Sequence, residues 1–120
     1  VIADPIAVAK DAATRWGQTV VLKYGYTVAT DGTRALVADD APVSLATAGS
    51  GDVFAGTIGA FLAQGLAPLD AAGLALFAGP RAARIVEQRT GTLGLVASDL
   101  PMAIAEVLAD LEAKKGNRDA

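Results

Sequence analysis

Apolar and polar residues change rhythm several times along this chain, and each rhythm predicts an element. Between residues 5 and 16, Ile6, Ala9, Ala13 and Trp16 recur at helical spacing and share one face. Asp4 stands where an N-cap belongs, Pro5 at the first helical position and Gly17 at the stop. "TVVLKY", residues 19–24, is a β-branched apolar run and predicts a buried strand. In "TVATDGTRALVA", strand-like residues flank Asp31-Gly32. That pair predicts a two-residue turn joining 27–30 to 33–38 as a hairpin. "DDAPVSLATAGSG" predicts a loop.

Three helical rhythms follow. The first spans Gly51 to Gln64 and stops at Gly65. Its Gly56 and Gly59 each cost about 1 kcal/mol against alanine, so a neighbouring backbone is expected close to both. The second spans 68–89, with Pro68 near its start and Gly91 past its end. Pro80 is expected to kink it or mark a short break. The third opens with Ser98 as N-cap and Pro101 in the first turn, and buries Leu100, Ile104, Val107, Leu108 and Leu111. "KKGNRDA" is expected to fray. There is no internal repeat and no low-complexity linker.

Helix, strands, hairpin and three helices make an α/β or α+β fold. The strands are too few for a sheet covered on both faces, which predicts half of a larger α/β domain. The chain also opens without an initiator Met, and a fragment of something longer is expected. Composition narrows the chemistry. The 120 residues are 52% hydrophobic, largely through alanine, and only 5% aromatic, which favours closely packed helices on a sheet. The net charge is −3, with no basic stripe or aromatic ladder, so no nucleic-acid partner is expected. Cysteine and histidine are both absent from the sequence. Acid–base chemistry here must therefore use Asp, Glu, Lys or Tyr. No apolar run reaches membrane-spanning length, and "VIADPIAVAK" lacks the marks of a signal peptide. A cytoplasmic location and no membrane partner are expected.

The least ordinary run is "LATAGSGDVFAG", residues 45–56. Gly49, Ser50 and Gly51 permit a sharp bend and close approach of a ligand, with Gly51 expected at positive φ. A helix then begins, and its first N–H groups lack internal partners and carry the positive end of the dipole. Together they would form an anion hole suited to phosphate. Asp52 falls in the first turn, where the same dipole favours its charge. A base beside a phosphate site suits phosphoryl transfer to a hydroxyl. No Gly-Lys-Ser/Thr follows, so this is not a P-loop. An ordinary first-turn acid, with glycines serving helix–sheet packing, accounts for the same residues.

"LATAGSGDVFAGTIGAFLAQGL" closely resembles the signature near the C-terminus of the ADP/ATP-dependent NAD(P)H-hydrate dehydratases, repair enzymes of ribokinase-like fold. "VVLKYGYTVATDG" resembles their upstream strand and hairpin, and "GLVASDL" their closing motif. The resemblance runs from about Thr19 to Leu108. It implies that residues 1–120 are the C-terminal part of a ribokinase-like α/β/α sandwich, with the N-terminal half missing. It implies Asp52 as the catalytic base, in contact with substrate, and Gly49, Ser50 and Gly51 as the anion hole. It implies Lys23, Tyr24, Gly25, Tyr26 and Thr27, with Gly51, as nucleotide-binding residues. The relatives usually have Gly directly after the Lys, where this chain has Tyr24 and then Gly25. From the residues alone, Lys23 also fits a solvent-facing strand end, and Thr27 a residue chosen for β propensity. Arg81 and Arg84 fit a solvated helix face better than a phosphate clamp.

The implied reaction is repair of hydrated NAD(P)H. Asp52 takes the ring hydroxyl's proton while the terminal phosphoryl of ADP or ATP moves to that oxygen. Phosphate then leaves, restoring NADH or NADPH. Mg²⁺ would bridge the nucleotide phosphates. A homo-oligomer is implied, and a fused or partner NAD(P)H-hydrate epimerase is a further expectation. Sugar and vitamin-precursor kinases of the same fold are one alternative. Sugar kinases typically place an Asp-Thr pair ahead of the loop, whereas this chain reads Leu45-Ala46-Thr47 with no acid. A non-catalytic or truncated nucleotide-binding domain is the other alternative.

Overall fold

The structure, a computed structural model, describes residues 4–119. They form two compact units. One combines the residues up to Ala41 with Ile58–Leu76, the other Pro42–Thr57 with Phe77 onward.

The first unit opens with α1, Pro5–Trp16. Asp4 caps it, its Oδ1 accepting from the Ala7 N–H at 3.1 Å. Gly17 ends it at φ 63°. The buried row is Pro5, Ala9 and Ala13, at four-residue spacing. Trp16 was expected on this face but is 67% exposed. It lies three residues beyond Ala13, in the last turn, off the four-residue row.

Strands β1 (Val20–Lys23), β2 (Thr27–Thr30) and β3 (Ala35–Ala38) form an antiparallel meander with β2 in the centre. The expected spans 19–24 and 33–38 are therefore shorter at their ends. Ala29 on β2 packs with Leu69 and Ala72, flanked by Val21, Ile58 and Leu76. Leu36 of β3 approaches so closely that a Cβ at Gly73 would lie 2.8 Å from its Cδ1.

The turn between β2 and β3 is not the expected two-residue type. Thr30 pairs with Ala35, leaving residues 31–34 as a four-residue loop. Side chains displaced the shorter turn. Asp31 Oδ1 accepts from the N–H groups of Arg34 (2.8 Å) and Thr33 (2.9 Å). Thr30, fully buried, donates its hydroxyl to the Arg34 carbonyl at 2.5 Å and accepts from Gly32 N–H at 3.0 Å. The backbone bonds from Arg34 and then Thr33 hold the Asp31 carboxyl below its ordinary 3.8. A lowered value means the ionised form supports the fold; that support is present above 3.8 and lost as pH falls through the depressed value. The Thr33 and Arg34 amides should thus keep their protection from neutral pH to about 5 and lose it only in stronger acid. Hydrogen exchange followed by NMR checks this; loss of protection near neutrality would contradict it.

Helix α2, Ser50–Ala63, and helix α3, Pro68–Thr90, contribute residues to both units. Gly65, at φ 97°, stops α2, its N–H donating to Leu62 at 3.0 Å. Gly56 and Gly59 do not have the close neighbours expected of them. A Cβ at either would meet nothing within 4 Å, and both are exposed. Their face of α2 is open among the described residues, and Phe61 is the buried residue of this helix. Of the two outcomes expected at Pro80, a kink or a short break, the break is not present: α3 runs through Pro80 as one helix. Ala75, Ala78, Pro80, Ala82 and Ala83 are all buried along the helix.

In the second unit, α3 packs against α4, Leu100–Asp119. Their core is Ala78, Ala82, Ala83 and Val86 with Leu95, Leu100, Ala103, Ile104 and Val107. The stripe expected on α4 is therefore present, with Ala103 added and Leu108 and Leu111 half-buried. Ser98 is not its N-cap. It lies inside a 3₁₀ turn, Ala97–Asp99, where the Asp99 carboxylate accepts from Val96 N–H at 3.0 Å. Nor does the chain fray at 114: α4 continues to Asp119, with a Lys114–Asp110 pair at 3.0 Å one turn apart. Ala120 lies outside the described residues. Among the described residues no helix is long and apolar enough to cross a membrane.

Candidate functional site

The glycine-rich turn belongs to the second unit, and its shape follows from a chain of backbone bonds. Pro42 leads into a 3₁₀ turn, Val43–Ala46, in which Leu45 N–H donates to Pro42 at 3.0 Å. Thr47 N–H donates to Ser44 at 3.4 Å and Ser50 N–H to Thr47 at 3.3 Å. Gly49 then swings to φ 87°. Its carbonyl accepts from the N–H groups of both Asp52 (3.1 Å) and Val53 (3.2 Å), which starts α2. Leu45 and Val53 both pack on the core of this unit and hold the turn from either side.

Glycine is required at 49 for two separate reasons. The positive φ disfavours any side chain. A Cβ there would also lie 3.2 Å from Ala97 Cβ, at the closing "GLVASDL" motif. Gly51 was expected to carry the positive φ, but the residues in that range are Gly17, Gly32, Gly49, Gly65 and Gly91. Gly51 belongs to the helix itself.

The donors sort into two kinds. Ser50 is committed inside the turn: its N–H goes to Thr47, and its hydroxyl donates to the Leu45 carbonyl at 2.6 Å. The N–H groups of Gly49 and Gly51 have no backbone acceptor among the described residues. Asp52 is exposed in the first turn of α2. Two amides without a backbone acceptor among the described residues thus stand within one helical turn of a carboxylate. Such a place accepts an anionic group through the amides and offers an oxygen base beside it.

The other predicted residues lie in the first unit. Lys23 ends β1 and Thr27 opens β2, and the two are cross-strand partners. Directly opposed residues project from the same face of a sheet. That explains why a spacing of four matters: Tyr24, Gly25 and Tyr26 are a three-residue loop, closed by Tyr24 N–H donating to Tyr26 at 2.9 Å. The departure from the usual Lys-Gly order falls in this loop, where Tyr24 is 54% exposed and a Cβ on Gly25 would meet nothing within 4 Å.

Arg81 and Arg84 are exposed, as a solvated face requires. Arg81 lies over the Phe77 ring at 3.5 Å and donates to the Phe77 carbonyl at 3.0 Å. Two residues of this region carried no signal in the sequence. Ser44 donates its hydroxyl to Glu87 Oε1, across 43 positions of chain. No motif announces a pair so far apart. Among the described residues no three His, Cys, Asp or Glu side chains gather to hold a metal ion.

Comparison with known proteins matches these features to one family. The family profile described as NAD(P)H-hydrate dehydratase matches residues 3–106. The bifunctional NAD(P)H-hydrate repair enzyme Nnr of Escherichia coli is 40% identical over 98 residues, 81% of this chain and 19% of that protein. The enzyme of the same name from Salinibacter ruber is 37% identical over 110 residues, 91% of this chain and 20% of that protein. The ADP-dependent (S)-NAD(P)H-hydrate dehydratase of Neisseria meningitidis is 38% identical over 103 residues, 84% of this chain and 35% of that protein. The chain thus spans between about a fifth and a third of the curated relatives it matches. With a profile match over most of its length, and with the glycine turn, the Lys–Thr hairpin and the closing motif inside it, the chain belongs to the NAD(P)H-hydrate dehydratase family.

Proposed function

We propose that the protein containing this chain restores NADH or NADPH from their hydrates at the expense of ADP or ATP. The observation that carries this reading is the turn at Gly49–Asp52, where the amides of Gly49 and Gly51, without a backbone acceptor among the described residues, precede an exposed carboxylate in the first turn of α2. The hydrate bears a hydroxyl on its reduced ring. Asp52 accepts that hydroxyl's proton as the oxygen attacks the terminal phosphorus of the nucleotide. The new O–P bond forms as the bond to the nucleotide's bridging oxygen breaks. The amides of Gly49 and Gly51 take up charge on the transferred phosphoryl group. Ser50 acts by holding the turn, since its hydroxyl is already engaged. The ring nitrogen's electron pair then expels phosphate, a far better leaving group than hydroxide, leaving a C=N iminium. Loss of a proton from the adjacent ring carbon to solvent returns the pair to nitrogen and restores the ring C=C double bond.

Lys23 through Thr27 are proposed to bind the nucleotide, with Lys23 and Thr27 as the pair the hairpin register sets opposite each other. Mg²⁺ is proposed to arrive with the nucleotide phosphates. We take the chain to be the C-terminal portion of a single ribokinase-like domain, in keeping with the fraction of its relatives it spans. A homo-oligomer, a cytoplasmic site of action, and an NAD(P)H-hydrate epimerase as fused domain or partner complete the proposal.

The test uses the protein with hydrated NADH and either nucleotide, following reduced-nicotinamide absorbance. Recovery of absorbance that depends on nucleotide is expected. A stable phosphorylated product without recovery would make the protein a kinase. No consumption of nucleotide with any acceptor would make it a non-catalytic domain.

A further inference from the structure

We propose that Glu87 is a positioning residue for the glycine turn, acting through Ser44; this rests on the reading of that turn as the phosphoryl-transfer site. Ser44 is 8% exposed, in the 3₁₀ turn that leads into the loop. Its hydroxyl donates to Oε1 of Glu87, which projects from α3. The next residue, Leu45, receives the Ser50 hydroxyl on its carbonyl at 2.6 Å. Ser50 is the first residue of α2, two before Asp52. A continuous line of hydrogen bonds and peptide units therefore joins Glu87 to Ser44, Leu45, Ser50 and the start of the helix that bears Asp52.

Other contacts do not do the same work. Leu45 and Val53 anchor the turn by apolar packing, and Ala97 limits Gly49 by contact. Packing resists compression but does not fix rotation of a peptide plane. A hydroxyl bound to a carboxylate is directional and belongs to the stronger class of hydrogen bonds. Without its acceptor the buried Ser44 hydroxyl would be left unpaired, and the 3₁₀ turn would shift to find a partner. The core around Glu87 has no need of a carboxylate. Ala83 and Val86, its neighbours on α3, are buried and apolar. The acid at 87 is explained by Ser44.

The experiment compares Ser44→Ala, Glu87→Ala, the double variant and Glu87→Gln in the protein. Gln keeps a side-chain oxygen that accepts from Ser44, whereas Ala removes it. Misplacement of a reacting group by about 1 Å costs on the order of a hundredfold. Each alanine variant should therefore lower kcat by roughly ten- to a hundredfold, with KM for the hydrate little changed. The double variant should be no worse than either single one, because both remove one bond. Glu87→Gln should restore most of the rate. Amide exchange is the second readout and needs no turnover. The Ser50, Asp52 and Val53 amides should exchange at least about tenfold faster in the alanine variants and at the wild-type rate in Glu87→Gln. The core amides of Val86 and Val107 serve as the control and should be unchanged. Wild-type exchange in the alanine variants, additive losses, or a Gln variant as impaired as Ala would overturn the proposal. If the wild-type protein restores no reduced nicotinamide, the proposed function falls, and exchange at Ser50–Val53 still decides the role of Glu87.

Discussion

Asp52→Asn is expected to abolish turnover of hydrated NAD(P)H while leaving nucleotide affinity and melting temperature nearly as they were. Asparagine has the shape of aspartate but does not take the hydroxyl proton. Removing a general base typically slows a reaction by about 10²–10⁴-fold, roughly 3–5 kcal/mol of barrier. The fold has little stake in this side chain. Asp52 is exposed, and the bonds that start α2 use its backbone N–H and that of Val53. Loss of activity should therefore come without loss of structure. Steady-state kinetics beside a melting curve checks both halves. Activity within a few-fold of wild type would remove Asp52 from the chemistry.

Gly49→Val is expected to have the opposite profile, with damage to the fold first and to binding as its consequence. A side chain in the left-handed region costs about 1–2 kcal/mol, and more when β-branched. The added carbons also press on Ala97, whose Cβ would lie 3.2 Å from the new Cβ. Overpacking of this kind adds about 1–3 kcal/mol. The turn should open, carrying the Gly49 carbonyl away from the Asp52 and Val53 amides that it now accepts from. A lower denaturation midpoint and weakened ADP binding by calorimetry are the expected results. Gly51→Ala provides the contrast, since Gly51 is helical and outside the positive-φ set. Its backbone takes a side chain without the strain that position 49 imposes. Equal stability of the two variants would mean that the turn is not held at Gly49.

The contrast between these two glycines shows where sequence reasoning succeeds and stops. Local signals were legible. Asp4, Pro5 and Gly17 bounded α1 to the residue, because caps act within one turn of backbone. Spacing also located Asp52 at the start of α2. Features decided by competing side-chain bonds or by distant contacts were not legible. Asp31-Gly32 has the composition of a two-residue turn, but Thr30 and Asp31 recruit Arg34 and lengthen it. Gly49 of "GSG" is confined by Ala97, nearly fifty residues on, and no local motif announces that neighbour. Ser44 and Glu87 meet only after α3 is in place. Trp16 and the tail beyond Lys114 went astray for a related reason. Periodicity names a face but does not say how far along the helix that face stays covered, nor where pairs such as Lys114–Asp110 carry a helix onward.

In the proposed reaction, phosphoryl transfer to the ring hydroxyl precedes its loss. Hydrated NADH carrying a heavy oxygen isotope at that hydroxyl tests it directly. The labelled hydrate is incubated with the protein and ADP or ATP, and the products are analysed by mass spectrometry. If the hydroxyl oxygen attacks phosphorus and leaves as phosphate, the heavy isotope should appear in inorganic phosphate, one atom for each NADH restored. Heavy isotope in water, with unlabelled phosphate, would show that hydroxide leaves directly and that the turn at Gly49–Asp52 performs some other task.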